Sequence, residues 1–174
     1  TSSSRAYDGT DAYTQAEQNF QTDFNGDGVI GSAFTDIETT GSIDLITNQA
    51  GEVFARSADG SVDDITHRGN RVSNDSWLGW SFIAAETIDG TNQVVHKNDQ
   101  TNALSIWNTD ANWNYTGGAF YGSANSSQGL QWETAFDQDF NGDSIIGTSY
   151  SDRETAGSTD LVTDTLGTAF VRQS

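Results

Sequence analysis

One nine-residue stretch occurs twice in this chain and places the strongest constraint on its fold. Residues 23–31 read DFNGDGVIG and residues 139–147 read DFNGDSIIG, so the second copy follows the first by 116 residues (139 − 23). The likeness extends further, because 17–56 and 133–172 align without a gap and share 20 identities in 40 positions. The chain therefore contains about one and a half copies of a repeat, with 57–116 present once.

Each copy carries a D-x-N-x-D pattern, which is the spacing of oxygen ligands in loops that bind Ca²⁺. In an EF-hand loop, side chains at positions 1, 3 and 5 and the carbonyl of position 7 bind the cation, and a glycine at position 6 allows the turn. The pattern predicts two Ca²⁺ sites. Their ligands are Asp23, Asn25, Asp27 and the carbonyl of Val29 in the first loop, and Asp139, Asn141, Asp143 and the carbonyl of Ile145 in the second loop.

Both loops depart from the EF-hand pattern. Position 12, which brings a bidentate glutamate, is Phe34 in one copy and Tyr150 in the other, and Ser144 replaces the turn glycine of the second copy. Acidic residues further along each copy are expected to complete the shell. We take these to be Glu38 and Glu154, with Asp36 and Asp152 as the alternative pair and Glu17 and Glu133 as further candidates.

The alternative to a metal site is an Asx turn. In such a turn, Asp and Asn side chains accept hydrogen bonds from the nearby backbone, and glycines supply positive φ. The recurrence of the loop in two copies favours Ca²⁺.

The charge of the chain excludes several classes of partner. It has 25 acidic and 7 basic residues and a net charge of −18, so it repels nucleic acid and anionic membrane surfaces. Bound cations would offset this self-repulsion. There is no cysteine, so neither a disulfide nor a thiolate metal site is present. No apolar run is long enough for membrane insertion.

The single-copy part, 57–116, has the composition of a β-meander. Turn dipeptides separate short runs that are rich in aromatic and β-branched residues, and Asp89-Gly90 between two such runs is a strong hairpin signal. Strands are predicted at 80–88, 93–96, 104–107 and 113–115.

The repeated parts predict the same elements in each copy. Apolar residues spaced four apart indicate short helical turns at 16–20 and 132–136, directly before the loops. Strands are expected at 42–47 and 52–56, and again at 159–163 and 168–172.

The predicted fold class is therefore mainly β, an antiparallel meander or sandwich-like module with short helical turns leading into two Ca²⁺ loops. Residues 1–174 are expected to form one module. Within it, 1–56 and 117–174 would supply matching halves of a sheet system, and 117–130 is expected to be a loop.

Several stretches follow one another in an order that resembles a known repeat. They are AETIDGTNQV at 85–94, TNALSIWNTDANWN at 101–114, then Glu133, Phe136 and the second loop. The chain is similar to the tryptophan-rich C-terminal repeat family first named from Synechocystis, and the similarity covers most of its length. Ser144 departs from the family's D-G.

The resemblance implies an extracellular, calcium-associated module found in tandem in large secreted bacterial proteins, and it implies no activity. The Gly, Asn, Ser, Thr and Asp content without cysteine also suits a secreted or cell-surface bacterial protein. Because the chain has no methionine, we expect it to be a piece of such a protein, with neighbouring repeats as partners.

Aromatic residues beside amides suggest a ligand site. Aromatic faces stack on the apolar faces of sugar rings, while Asn, Asp and Gln bond the hydroxyls. A polysaccharide or cell-surface glycan is the expected partner. The alternative is that these aromatics form the core, as the alternating Asn-Trp-Asn-Tyr of 112–115 would in a half-buried strand. The candidate ligand residues are Trp107, Trp113, Tyr115, Asn112 and Trp80.

The sequence does not indicate an enzyme. With no cysteine and only two histidines, His67 and His96, no nucleophile–histidine motif or zinc-binding HExxH motif is assembled. We expect a non-catalytic, calcium-stabilised extracellular module that binds carbohydrate. The alternative is a structural spacer that Ca²⁺ makes rigid.

Overall fold

A computed structural model describes residues 11–173 of the chain. It confirms a mainly β fold, with thirteen strands in antiparallel sheets and two helices within this range. The prediction of one module over 1–174 also includes residues 1–10 and 174, which lie outside the described residues.

The first third of the chain contains a helix, the first acidic loop, a four-stranded sheet and a small ribbon. Helix α1 spans Asp11–Phe20 and precedes the loop. The sheet has its strands in chain order: β1 (Phe34–Glu38), β2 (Ile43–Asn48), β3 (Val53–Ser57) and β4 (Val62–Asp64). The ribbon pairs β5 (Thr66–His67) with β6 (Asn70–Arg71).

A second four-stranded sheet follows, again with consecutive strands as neighbours. The hairpin predicted at Asp89-Gly90 is present, because both residues have positive φ, 51° and 77°, as a two-residue type I′ turn requires. The strands are β7 (Trp80–Ile88), β8 (Thr91–Asn98), β9 (Ala103–Thr109) and β10 (Tyr115–Ser123).

Both faces of the β7–β10 sheet are covered, and two apolar clusters result. On one face, Leu45 and Ala55 of the first sheet pack in a cluster with Phe82, Val94 and Trp107. Alternation along each strand places the neighbouring residues on the opposite face. That second face carries Ala84, Val95, Leu104 and Ile106, which pack with Phe136 and Phe140.

The second face is covered by helix α2 (Ser127–Phe136) and the second acidic loop. The Ser126 side chain caps the helix by accepting a 3.0 Å hydrogen bond from the Gly129 N–H, which satisfies a backbone donor of the first turn. Gly129 must be glycine, because a Cβ there would lie 2.3 Å from the Ala124 carbonyl oxygen.

The chain ends in a third sheet that repeats the first. Its register matches, since Tyr150 pairs with Asp164 as Phe34 pairs with Asn48, and the same irregularity occurs in the first strand of each sheet. The strands are β11 (Tyr150–Glu154), β12 (Thr159–Asp164) and β13 (Ala169–Gln173).

Three sequence expectations are wrong. Trp113 is not in a strand, because its φ is 58° and β10 begins two residues later. The expected loop at 117–130 is instead most of β10 and the start of α2. The first and third sheets are separate and are not two halves of one sheet system.

Candidate functional site

The first acidic loop is organised by its own side chains. The two carboxylate oxygens of Asp23 accept hydrogen bonds from the N–H groups of Gly26 and Gly28, at 2.6 and 2.9 Å. Asn25 Oδ1 accepts one from the Asp27 N–H at 3.0 Å, and Asp27 Oδ1 accepts one from the Val29 N–H at 2.8 Å. The side-chain oxygens at positions 1, 3 and 5 therefore all lie within one tight turn.

The second loop has the same bonds. Asp139 accepts from the N–H groups of Gly142 and Ser144, both at 2.7 Å. Asn141 accepts from Asp143 and Asp143 from Ile145, both at 2.8 Å. Ser144 takes the place of the turn glycine with a φ of 68°, so the substitution leaves the loop conformation intact.

A buried glutamate anchors each loop to the preceding helix. Glu17 and Glu133 are only 1% and 0% exposed. The Glu133 carboxylate accepts hydrogen bonds from the N–H groups of Asn141 and Gly147, at 2.9 and 3.0 Å. Glu17 accepts the equivalent bonds from Asn25 and Gly31, at 3.4 and 3.1 Å, and a further bond from Phe24 at 3.0 Å. These glutamates hold the two ends of the loop together.

The pKa of Glu133 reflects this environment. Burial raises the pKa of its carboxyl group, and the nearby negative charges of Asp139 and Asp143 act in the same direction. The hydrogen bonds from Gly147 and Asn141 favour the charged form and oppose the increase.

The residues expected to close the metal shell make other contacts. Glu38 and Glu154 each accept a hydrogen bond from the backbone N–H two residues on, at Thr40 and Ala156. Their alternatives, Asp36 and Asp152, form ion pairs of 2.8 and 2.9 Å with arginines of the third strand of each sheet. The assignment of Glu38 and Glu154 as ligands therefore has no supporting contact in the structure.

The loops fit Ca²⁺ in their donor chemistry. Carboxylate and amide oxygens are the ligands that this cation prefers, and each loop presents two aspartates and one asparagine in a single turn. Within residues 11–173, no group of three or more His, Cys, Asp or Glu side chains is arranged to hold a metal ion. Each loop by itself therefore supplies only part of a coordination shell.

Two of the candidate ligand tryptophans belong to the core. Trp107 and Trp113 are 6% and 2% exposed, so their ring faces are covered by protein and the core alternative holds for both. Tyr115 is half-buried and packs against Trp107 at 4.9 Å between ring centroids. Asn112 is exposed in the turn that contains Trp113.

Trp80 is the candidate whose ring remains partly accessible. Its centroid lies 6.1 Å from that of Tyr121 and 5.0 Å from that of His96. Tyr121 is exposed. Trp80 and Tyr121 thus form a small aromatic patch beside the core.

A groove runs between the β7–β10 sheet and α2. It has a volume of about 690 Å³, within the size range of small-molecule sites. Trp132 of α2 and Phe120 of β10 line it, both half-buried. Its polar lining includes four side-chain amides, those of Gln93, Asn108, Gln128 and Gln131.

The amides of the groove are partly engaged with one another. Gln93 Nε2 donates to Asn108 Oδ1 at 2.8 Å. The other end of the Gln93 amide, Oε1, is buried and has no hydrogen-bond partner among the described residues. A buried acceptor without a partner costs free energy.

The five candidate ligand residues predicted from the sequence do not line this groove. Trp132 and Phe120 stand out in the sequence as aromatic residues, but the amides that join them come from three separate elements, β8, β9 and α2. Only the packing of α2 on the sheet brings these groups together. The signal for this groove in the sequence is the content of aromatic and amide residues.

Fold and site together describe a mainly β repeat module with two acidic loops and an aromatic groove. Residues 43–147 match the family described as the Tryptophan-rich Synechocystis species C-terminal domain. Because this match covers more than half of the chain, the chain belongs to that family, as the resemblance indicated. No curated protein and no solved structure matches it. Within residues 11–173, no helix has the length and apolar character needed to span a membrane.

Proposed function

We propose that this chain is a non-catalytic, calcium-stabilised module that binds carbohydrate, as part of a larger secreted bacterial protein built from repeats. The observation that carries this proposal is the groove between Trp132, Phe120 and the surrounding amides. An aromatic ring stacks on the apolar face of a sugar, and amides both donate to and accept from its hydroxyl groups.

Calcium has a structural role in this proposal. The oxygens of Asp23, Asn25 and Asp27 would hold one ion with the carbonyl of Val29, and Asp139, Asn141, Asp143 and the carbonyl of Ile145 would hold the other. Bound Ca²⁺ supplies positive charge that offsets the clustered carboxylates. The second loop packs directly against the back of the β7–β10 sheet through Phe140, so its order is coupled to the wall of the groove.

The surroundings of the two histidines support a non-catalytic role. The ring of His96 is buried among aromatic residues, and neither of its nitrogens has a hydrogen-bond partner among the described residues. His67 packs against Trp77, Trp107 and Tyr115. Neither histidine lies in the groove, so neither is placed to act as a general base there.

Affinity electrophoresis through gels that contain single polysaccharides tests the proposal. We expect one class of polysaccharide to retard the chain in millimolar Ca²⁺, and less so in EDTA. Trp132→Ala should abolish the retardation, because it removes the stacking surface of the groove. Trp80→Ala is the matched control, since it removes a partly accessible tryptophan from the opposite side of the same sheet.

Two other outcomes would favour a different ligand site or a different function. If Trp80→Ala abolishes retardation and Trp132→Ala does not, the patch of Trp80 and Tyr121 is the ligand site. If no polysaccharide retards the chain, the structural spacer becomes the better proposal. The burial of Trp107 and Trp113 in the core and the repetition of the sheet favour that alternative.

A further inference from the structure

The last sheet of the chain exposes a face that its earlier copy buries. Leu161 and Val171 are 41% and 75% exposed, whereas the equivalent residues of the first sheet, Leu45 and Ala55, are both 0% exposed. The two sheets have the same strand register. The pairing of the three equivalent strands is therefore the same, whereas the fourth strand, β4, and the covering layer belong to the first sheet alone among the described residues.

The covering layer of the first copy is the β7–β10 sheet. Leu45 and Ala55 belong to the apolar cluster that includes Phe82, Val94 and Trp107 of that sheet. On the β11–β13 sheet, Leu161, Ala169 and Val171 are apolar at the positions of Leu45, Val53 and Ala55, whereas Thr159 and Arg153 replace Ile43 and Ile37. Among the described residues, no second sheet packs on this face.

A polar contact with β7 shows the same difference between the first and the last sheet. Glu86 of β7 is buried and accepts hydrogen bonds from the N–H and the hydroxyl of Ser42, at 2.7 and 2.5 Å. It thereby holds the Gly41-Ser42 turn between β1 and β2. The turn between β11 and β12 has the same Gly-Ser sequence, Gly157-Ser158, but makes no such contact with a glutamate among the described residues. The Gly157-Ser158 turn thus has the residues that would donate hydrogen bonds to a second copy of Glu86, as Ser42 does to the first.

The first helix and loop show the complementary difference at the other end. Phe20 and Phe24 are 70% and 49% exposed, whereas their equivalents Phe136 and Phe140 are 3% and 2% exposed. Phe136 and Phe140 are buried because they pack on the back of the β7–β10 sheet. The first helix and loop carry the same aromatic residues, and within residues 11–173 no sheet packs against them.

We propose that both exposed surfaces are docking sites for further copies of this chain's own β7–β10 sheet. The face of β11–β13 would receive the sheet of a following repeat, and Phe20 and Phe24 would pack on the sheet of a preceding repeat. Each such sheet would lie between the β1–β4 type of sheet before it and the helix and loop after it, as β7–β10 does here.

The occupant is a repeat in tandem and not a second molecule of this chain. In a second molecule, the β7–β10 sheet is already covered on one face by its own first sheet and on the other by its own α2. Docking of such a molecule would require one of these layers to leave. We therefore expect this chain to be monomeric.

An extended chain tests the proposal. It consists of residues 1–172 followed by residues 57–174, a junction that keeps the repeat in phase because Arg172 is equivalent to Arg56. We expect backbone amides of β12 to exchange with deuterium at least about tenfold more slowly in the extended chain than in the original one, because docking removes local opening. The expected slowing of amide exchange requires neither a bound glycan nor bound Ca²⁺.

Two leucines of the same hairpin provide a matched pair of variants. Leu161→Asp should abolish the added protection in the extended chain and should shift the Tm of the original chain by less than about 2 °C, as an exposed substitution does. Leu166→Asp is the control. Leu166 is 43% exposed, and its equivalent in the first copy, Ala50, is exposed in the turn, so its substitution should leave the protection in place.

Either of two results would overturn the proposal. One is unchanged exchange of β12 amides in the extended chain. The other is a dimer of the original chain in sedimentation that Leu161→Asp dissociates, since the exposed face would then pair with a second whole molecule.

Discussion

At the scale of single residues, His96 has the most unusual environment in the described structure. Its ring stacks on Phe82 at 5.2 Å and lies near Trp107 at 4.6 Å, and neither ring nitrogen has a hydrogen-bond partner among the described residues. Burial lowers the pKa of His96 from 6.5 to about 4. The folded protein therefore holds this imidazole neutral where the unfolded chain would protonate it.

This difference predicts a loss of stability in mild acid. As the pH falls from 6.5 towards 4, the unfolded chain takes up a proton at His96 that the folded protein does not bind, so unfolding becomes more favourable. The free energy of unfolding should fall by about 3 kcal/mol across this range. His96→Leu should remove that part of the pH dependence in urea unfolding.

Comparing the free energy of unfolding of the original chain and of His96→Leu at each pH isolates the contribution of the histidine, because the carboxylates titrate in both proteins. If both proteins lose the same free energy of unfolding between pH 6.5 and pH 4, the neutral buried imidazole is not responsible.

Glu133 and Glu17 organise the two loops, and they allow a second prediction at this scale. Glu133 accepts from two backbone N–H groups with two separate oxygens. Glu133→Gln leaves one oxygen and places an N–H₂ group opposite the other donor, so one bond is lost and a buried donor loses its partner. Hydrogen bonds to charged groups contribute about 1.5–3 kcal/mol, and we expect a loss of that size in thermal unfolding.

Glu17→Gln is the matched variant in the first loop. It breaks equivalent bonds, but α1 and its loop leave Phe20 and Phe24 exposed, so less of the fold depends on them. A loss for Glu17→Gln as large as that for Glu133→Gln would contradict this account.

At the scale of elements, the turn between β1 and β2 is joined to β7. Gly41 has a φ of 100°, and a Cβ at this position would lie 1.9 Å from Glu86 Oε2. The equivalent Gly157 has a φ of 122°, and a Cβ there would have no heavy atom within 4 Å. Substitutions at the two glycines therefore separate the cost of positive φ, which both positions carry, from the cost of the contact with Glu86, which only Gly41 has.

Gly41→Ala should destabilise the chain more than Gly157→Ala. Positive φ costs alanine about 1–2 kcal/mol at either position, and Gly41→Ala also displaces the Glu86 carboxylate from its bonds to Ser42, which adds about 1.5–3 kcal/mol. Urea unfolding of the two variants measures the difference. Equal losses would show that the contact between Gly41 and Glu86 has no energetic weight.

At the scale of the whole molecule, the net charge of −18 makes stability depend on cations. A ligand that binds only the folded state stabilises it by RT ln(1 + [L]/Kd), which is about 2.7 kcal/mol per site at a hundred times Kd. We expect Ca²⁺ to raise the Tm by several degrees and EDTA to reverse the change.

Variants in the loops distinguish binding from general screening of charge. Asp27→Ala and Asp143→Ala should each reduce the Ca²⁺-dependent rise in Tm, and together they should abolish it. Asp75→Ala removes one exposed carboxylate outside the loops and should leave the rise unchanged. A Tm that EDTA does not alter, in a chain first saturated with Ca²⁺, would remove the calcium proposal.

Much of the fold was predictable because its signals are local. Strands β2, β3, β12 and β13 lie within one residue of their predicted bounds, and Asp89-Gly90 forms the predicted turn. The two errors in strand assignment have physical causes. Alternation at 112–115 assumes extended backbone, but Trp113 has positive φ. In β10, Gly122 resembles a loop residue, yet it is small to make room for the ring of Phe120, which a Cβ would approach to 2.8 Å.

The sequence by itself determined the acidic loops and the repeated strands, because their hydrogen bonds join residues close together in the chain. The bond from the Gly31 N–H to Glu17, which closes the first loop, spans only 14 residues. Only the tertiary structure decided which aromatic residues form the core and which line the groove. That choice depends on which face of a sheet another layer covers. Leu45 and Leu161 have equivalent positions and the same local structure, yet one is buried and the other is exposed, because only the first has a second sheet packed on it.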